Sequence, residues 1–140
     1  MIAFKAVPMK RLHLEAVISL MKELSEFEPP PEIFDEIWTN FSSQLNSFPL
    51  VVLSDAQVVG FAVLLVEGKV RGGKMGHIED VVSHPDFRGL GVGRFLISEL
   101  TDIASKMGCY KVALHCQEHN VGFYEKCGFK SNGSSMQKFL

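Results

Sequence analysis

The chain is short of several things at once. Only three of its 140 residues are cysteine, namely Cys109, Cys116 and Cys127. A small, odd number of cysteines reads as reduced thiols in an intracellular protein, not as a disulfide scaffold. Met1-Ile2-Ala3-Phe4-Lys5 has none of the basic, apolar and cleavage regions of a secretory leader. No apolar run approaches the length of a membrane span, so the cytoplasm is the expected location. Charge of one sign is also lacking. Fourteen Lys and Arg against sixteen Asp and Glu leave a formal charge of −2, which gives no reason to expect nucleic acid or an anionic membrane as partner. The Gly-Lys-Ser/Thr of a Walker loop is absent. The G-x-G-x-x-G of a dinucleotide fold fails because Arg94 stands at the third glycine position. His115-Cys116-x-x-His119 hints at a metal site. Within a strand over 110–116, however, His115 and Cys116 would point to opposite faces, so no metal is expected.

What is present suits one domain over residues 1–140. Its 46% hydrophobic content is ordinary for a globular protein. Residues 2–7 read as a strand. Leu14, Val17, Ile18, Met21 and Leu24 recur at helical spacing and predict a helix over 10–25. Pro29-Pro30-Pro31 stops it, and Ile33, Ile37, Trp38, Phe41 and Leu45 give a second helix. Two apolar runs, 49–54 and 57–67, form a hairpin about Ser54-Asp55-Ala56-Gln57. A polar turn from Gly68 to Gly76 carries Lys69, Arg71 and Lys74. Strand 76–84 follows, then a helix from Gly91 to Met107 with Phe95, Leu96, Leu100, Ile103 and Ala104 facing inward and Gly108 as its stop. After strand 110–116, Asn120 is placed to cap a short helix through Lys126, ended by Gly128. Short strands at 128–131 and 134–139 flank Asn132-Gly133, a hairpin signal. The order β-α-α-β-β-β-α-β-α-β-β describes an α/β fold on a mixed sheet.

The most informative stretch is Arg88-Gly89-Leu90-Gly91-Val92-Gly93, between an extended apolar run and a helix. Amides at a helix N-terminus lack intrahelical acceptors and sit at the positive end of the macrodipole. Glycines allow close approach of a ligand, and Arg88 adds a planar, permanently charged donor fork. A diphosphate-bearing cofactor is the implied guest. Taken alone, the six residues also fit a tight turn before a surface helix.

That motif at the head of the third helix, with the element order, resembles the GCN5-related N-acetyltransferase (GNAT) superfamily. Gly76-His77-Ile78-Glu79-Asp80-Val81-Val82, Gly108-Cys109-Tyr110-Lys111-Val112 and Asn120-Val121-Gly122-Phe123-Tyr124-Glu125-Lys126-Cys127-Gly128-Phe129 resemble more narrowly the glucosamine 6-phosphate N-acetyltransferases. The resemblance implies a mixed, mostly antiparallel central sheet flanked by helices. It implies acetyl-CoA as cosubstrate and no metal. The activity implied is acetylation of the 2-amino group of glucosamine 6-phosphate, a step towards UDP-N-acetylglucosamine, in a homodimer with composite active sites. Arg88, Gly89, Leu90, Gly91, Val92, Gly93 and Arg94 would hold the pyrophosphate. Val81, Val82 and Ser83 would pair with the pantetheine arm as with an added strand, and Asn120 would sit near the arm's far end or simply cap its helix.

Acyl transfer to an amine needs a neutral amine, donors for the oxyanion and a proton or hydrogen bond for the departing thiolate. By the same resemblance the amine attacks directly, which leaves the cysteines as bystanders. Tyr124 matches the tyrosine that faces the CoA sulfur. Glu79 and Asp80 match residues that contact the amino sugar. In a regular strand only one of them could serve, unless a β-bulge intervenes. His115 departs from the family pattern, which has a carboxylate there. A neutral imidazole, with an unperturbed pKa of ~6.5, could accept the amine's proton, or the residue could offer only its carbonyl. Lys69, Val70 and Arg71 lie in a loop matching a substrate-contact segment. Tyr110 and Lys111 match the segment whose lysine reaches the neighbouring subunit's site, and Lys111 and His115 sit ~13 Å apart along a strand. Ser25 and Lys138 are further substrate positions by resemblance. Another small amine or a peptide N-terminus as acceptor, or a non-catalytic acetyl-CoA-binding module, are the rival readings.

Overall fold

The computed structural model of the protein describes residues 3–140. Five strands form one sheet in chain order: β1 (Lys5–Pro8), β2 (Ser47–Ser54), β3 (Gln57–Gly68), β4 (Lys74–Ser83) and β5 (Cys109–Leu114). β1 to β4 are antiparallel neighbours, while β5 lies parallel to β4. A parallel neighbour needs a crossover, and helix α3 (Val92–Lys106) supplies it. The helices α1 (Leu14–Met21), α2 (Phe34–Ser42) and α4 (Val121–Lys126) complete the fold.

Two apolar cores lie on opposite faces of the sheet. Alternate residues of one strand feed each, because strand side chains alternate. Val52, Ala62, Leu64 and Ile78 pack with Leu96, Leu100 and Ala104 of α3. Val51, Phe61, Val63 and Val82 pack with Val17 and Leu20 of α1, and Ile37, Trp38 and Phe41 of α2 close that side. β3 therefore reads as an unbroken buried run from Val58 to Leu64, as a strand covered on both faces must.

Several expectations are corrected. The first helix is a 3-10 turn, Arg11–His13, followed by α1, which ends at Met21. Beyond it the Glu23 and Leu24 amides close turns onto Leu20 and Met21, and Leu24 is exposed. Leu45 lies past the end of α2 and is fully exposed. The turn expected to Gly76 ends sooner, because Lys74 already pairs with Gly68 in β4. β5 stops at Leu114, so His115 and Cys116 lie outside the strand, and the opposite-faces argument does not apply to them. The two C-terminal strands are absent among the described residues, although Gly133 has the positive φ of a turn glycine. A lone hairpin is marginal in water, and Lys130 to Leu140 are exposed throughout, so no apolar face of that segment is buried. The expected first strand, 2–7, is found from Lys5 onward; residue 2 lies outside the described residues.

One close approach fixes α3 to the sheet. A Cβ at Gly60 would stand 2.5 Å from Val92 Cγ1. Gly60→Ala is therefore an overpacking change, expected to cost about 1–3 kcal/mol. Gly68→Ala, with open space around its Cβ position, should leave the urea midpoint nearly unchanged. Equal midpoints for the two variants would contradict this packing.

Candidate active site

The site begins where two strands part. β4 and β5 pair from Lys74↔Cys109 to Ile78↔Leu114 and no further. β4 continues to Ser83, still bonded to β3 on its other edge through Ser83↔Gly60. Between the pairs Phe61↔Val82 and Val63↔Glu79, Ala62 alone faces Asp80 and Val81 together. This is a β-bulge, and Asp80 within it has φ 57. Bulges bend a strand and sharpen its twist, which is why β4 leaves β5 here. The main chain of β4 from Glu79 onward thus has no strand partner on the β5 side. After Leu114 the chain runs through His115, Cys116 and a 3-10 turn, Glu118–Asn120, into α4. Val81, Leu114 and Tyr124 all lie against the α3-side core, so the opening is walled by β4 on one side and the β5–α4 segment on the other.

Consecutive residues Glu79 and Asp80 are both exposed, which a regular strand would forbid and the bulge permits. Loss of hydration around Asp80 raises its carboxyl above the ordinary 3.8. Tyr124 is half-buried, with Phe123 at 5.0 Å and Phe129 at 6.0 Å, both edge-on. Burial raises its phenol, and the neighbouring Cys116 and Cys127 thiols add to the shift. Tyr124 therefore stays protonated at neutral pH, with a hydroxyl able to donate a hydrogen bond. His115 is exposed just beyond β5, and no hydrogen bond to its ring is found among the described residues. Asn120 precedes α4 in a helical conformation and makes no side-chain cap bond. The expected capping role is thus not taken up, and its amide remains available to a ligand.

The glycine loop divides its work. Gly89 and Gly91 have φ 78 and 89, a region costly to any residue with a Cβ. Gly93 serves packing instead: a Cβ there would stand 3.1 Å from Cζ of Phe123. The first bond of α3 runs from the Phe95 amide to the Gly91 carbonyl, 3.0 Å. The amides of Val92, Gly93 and Arg94 come before it, without helical acceptors. The Arg88 guanidinium donates to a carboxylate oxygen of Glu23 at 2.8 Å. A groove of about 570 Å³ along α3, lined by residues including Arg94, Ser98 and Lys126, adjoins the loop through Arg94.

The remaining expected residues gather elsewhere. Lys69, Val70 and Arg71 form the tip joining β3 to β4, and Val70 is fully exposed. The ring of Tyr110 lies 3.2 Å from where a Cβ of Gly73 would be, and Lys111 Nζ stands 5.8 Å from that ring's centroid. This cluster occupies the end of β4 and β5 opposite to the opening. Lys69 is already bonded to Glu67 at 2.6 Å, and His77 Nε2 contacts the same carboxylate oxygen at 2.8 Å. These two partners, Lys69 foremost, hold the Glu67 carboxyl down to about 2. Ser25 Oγ accepts from the Phe27 amide, and Lys138 lies in the exposed C-terminal segment. Sequence reasoning missed Glu67, His77, Phe123 and Glu23. The first two sit on adjacent strands and could have been paired from the hairpin register. Nothing in the sequence ties Glu23 to a residue 65 positions away.

The profile of the Acetyltransferase (GNAT) family matches residues 14–129. The chain belongs to this family. Curated relatives named glucosamine 6-phosphate N-acetyltransferase include one from Dictyostelium discoideum, 38% identical over 86% of this chain and 80% of its own length. One from Candida albicans is also 38% identical over the same shares. Among solved structures, a Trypanosoma brucei acetyltransferase superposes with TM-score 0.89 at 30% identity, covering 99% of this chain and all of its own. Glucosamine-6-phosphate N-acetyltransferase from Arabidopsis thaliana gives 0.88 at 30% over 99% of both chains. The mixed sheet flanked by helices is the GNAT fold, and acetyl-CoA is the family's cosubstrate.

Asp80 yields a prediction with a definite sign. Its carboxyl binds a proton more readily folded than unfolded, so its contribution to stability falls as pH rises through the folded value. Asp80→Asn keeps a residue type that tolerates positive φ and removes the partly desolvated charge. The variant should melt higher than the parent at pH 7, with the gain gone near about pH 3, where both side chains are neutral. A gain independent of pH would contradict the electrostatic cause.

Proposed function

We propose that the protein transfers the acetyl group of acetyl-CoA to the 2-amino group of glucosamine 6-phosphate, by direct attack with both substrates bound. The observation that carries this reading is the parting of β4 from β5 at the Asp80 bulge. It exposes two carboxylates together and leaves main chain of β4 without a strand partner on the β5 side, in a chain whose relatives are named for this activity. Acetyl-CoA, when bound, supplies an activated acetyl thioester. The amides of the Arg88 to Arg94 loop and the α3 N-terminus hold its diphosphate. Val81, Val82 and Ser83 offer main-chain groups to the pantetheine arm as a neighbouring strand would, and Asn120 lies at its far end. An amide at Val81 or Val82 donates to the acetyl carbonyl oxygen as charge builds there. Glu79 and Asp80 orient the sugar and its amine. His115 takes the amine's proton from its exposed position. The Tyr124 phenol gives a hydrogen bond to the sulfur as it departs. The cysteines need take no part.

The phosphate of the acceptor calls for cations. Lys111 pairs with Met75, five residues before Asp80, so Lys69, Arg71, Tyr110 and Lys111 sit roughly 16 Å or more along the strands from the bulge, too far for one hexosamine held in the same chain. We therefore propose a homodimer in which this cluster serves the partner's site, with Ser25 and Lys138 as further acceptor contacts. Two features support it. The outer edge of β5 carries no strand among the described residues, and Met136, Phe139 and Leu140 are exposed in the segment after α4. We place the reaction in the cytoplasm, on the route to UDP-N-acetylglucosamine; the three free thiols fit a reducing compartment.

Assays with a panel of amines should show thiol release strongest with glucosamine 6-phosphate, and no release with that sugar would overturn the reading. Tyr124→Phe should lower kcat about 100-fold while changing acetyl-CoA affinity less than about twofold. For the dimer, Lys111→Ala subunits mixed with Tyr124→Phe subunits should regain activity that neither parent has. No recovery in a mixture proven to exchange subunits counts against composite sites.

A further inference from the structure

The Arg88 side chain is already occupied. Its guanidinium reaches 65 residues back to Glu23, at 2.8 Å. Glu23 is the fixed partner. It lies in the turn closing α1, where the Glu23, Leu24 and Ser25 amides bond to Leu20 and Met21, and Lys22–Glu28 at 2.9 Å closes the following loop on itself. Arg88 is the looser partner, more exposed than Glu23 at 61% against 36%, in the stretch before the two left-handed glycines. We propose that Glu23 is a positioning residue of the cofactor cradle. It acts as a built-in carboxylate competitor that holds Arg88 in the unliganded protein and yields it to the cofactor's diphosphate.

The proposal rests on the diphosphate being seated at residues 88–94. Only Nη2 is engaged, on Glu23 Oε2, and a guanidinium that turns to present its two-pronged edge to a phosphate gives up that contact. Binding thus exchanges one ion pair for another, and cofactor release is assisted by Glu23 taking the arginine back. An exposed ion pair is weak, so the exchange trims affinity modestly without abolishing it.

The test is CoA affinity by titration calorimetry on four full-length proteins: the parent, Glu23→Gln, Arg88→Ala and the double variant. Glu23→Gln should bind CoA about two- to fivefold tighter. The same change in the Arg88→Ala background should do nothing. Acetylation from S-acetylpantetheine, which has no diphosphate, should show an unchanged KM in Glu23→Gln, and Glu23→Asp should return affinity towards the parent's. Equal or weaker binding in Glu23→Gln overturns the proposal. So does tightening that persists without Arg88, because that would be general relief of repulsion. A parent protein that binds no CoA overturns the functional reading, and this inference with it; normal binding with an unmoved Glu23→Gln overturns the competitor alone.

Discussion

Everything at the site depends on one mismatch of register. β4 stays bonded to β3 on one edge while it loses β5 on the other. This is possible because Asp80 and Val81 together face the single residue Ala62. An extra residue cannot be absorbed in a flat ladder, so the strand bends and its twist rises. Three consequences follow from the same bend. Main-chain groups of β4 are left for a ligand. Two neighbouring carboxylates become exposed together. The chain after β5 is released to turn into α4, whose Tyr124 packs against the α3-side core. The backbone strain of a non-glycine residue at φ 57 is carried by Asp, one of the few residue types that visit that region readily.

The glycine-rich loop depends on this arrangement more than its sequence suggests. Gly89 and Gly91 answer to backbone conformation, but Gly93 answers to the ring of Phe123. Phe123 precedes Tyr124 on the same short helix. The first turn of α3 and the helix that carries the phenol are therefore in direct contact. The cradle that would fix one end of acetyl-CoA and the group that would meet its sulfur belong to one packed unit. Gly60 against Val92 then anchors that unit to β3. Preorganisation of this kind is what a reaction between two bound substrates needs, since misplacement by about an ångström is costly.

Much of the fold was legible because it rests on local periodicity. The apolar runs of β2 and β3, the turn at Asp55 and the inward face of α3 are all where residue spacing puts them. Leu24 and Leu45 misled because each continues a helical pattern past the point where the backbone has already turned. Asn132-Gly133 misled for another reason. The turn glycine is there, but a hairpin needs a third strand or a partner to bury its face. At the site, the glycine loop and Tyr124 were legible from motif, and the bulge only as an option, because register is a property of two strands and not of one. Glu23 was illegible, since an ion pair spanning 65 residues leaves no trace in local sequence.

The electrostatics of the opening reconcile two demands that look opposed. An acceptor amine arrives as an ammonium ion and must react neutral. A carboxylate that pairs with the ammonium holds it in the unreactive form. Asp80 is exposed at the bulge yet partly shielded from water by the surrounding protein, and its carboxyl is raised for that reason. That shielding strengthens its attraction for an arriving cation, because less water is displaced on pairing. The same environment penalises every charge brought into it, so the ammonium too is favoured to shed its proton once seated. An exposed His115 just beyond β5 can then pass that proton to solvent, a task a buried base would do poorly. In the proposed reaction, binding of the amine by Asp80 and removal of its proton by His115 thus fall on two different residues, both exposed. That division lets a histidine stand where the resemblance leads one to expect a carboxylate, without the site losing its means of holding the amine.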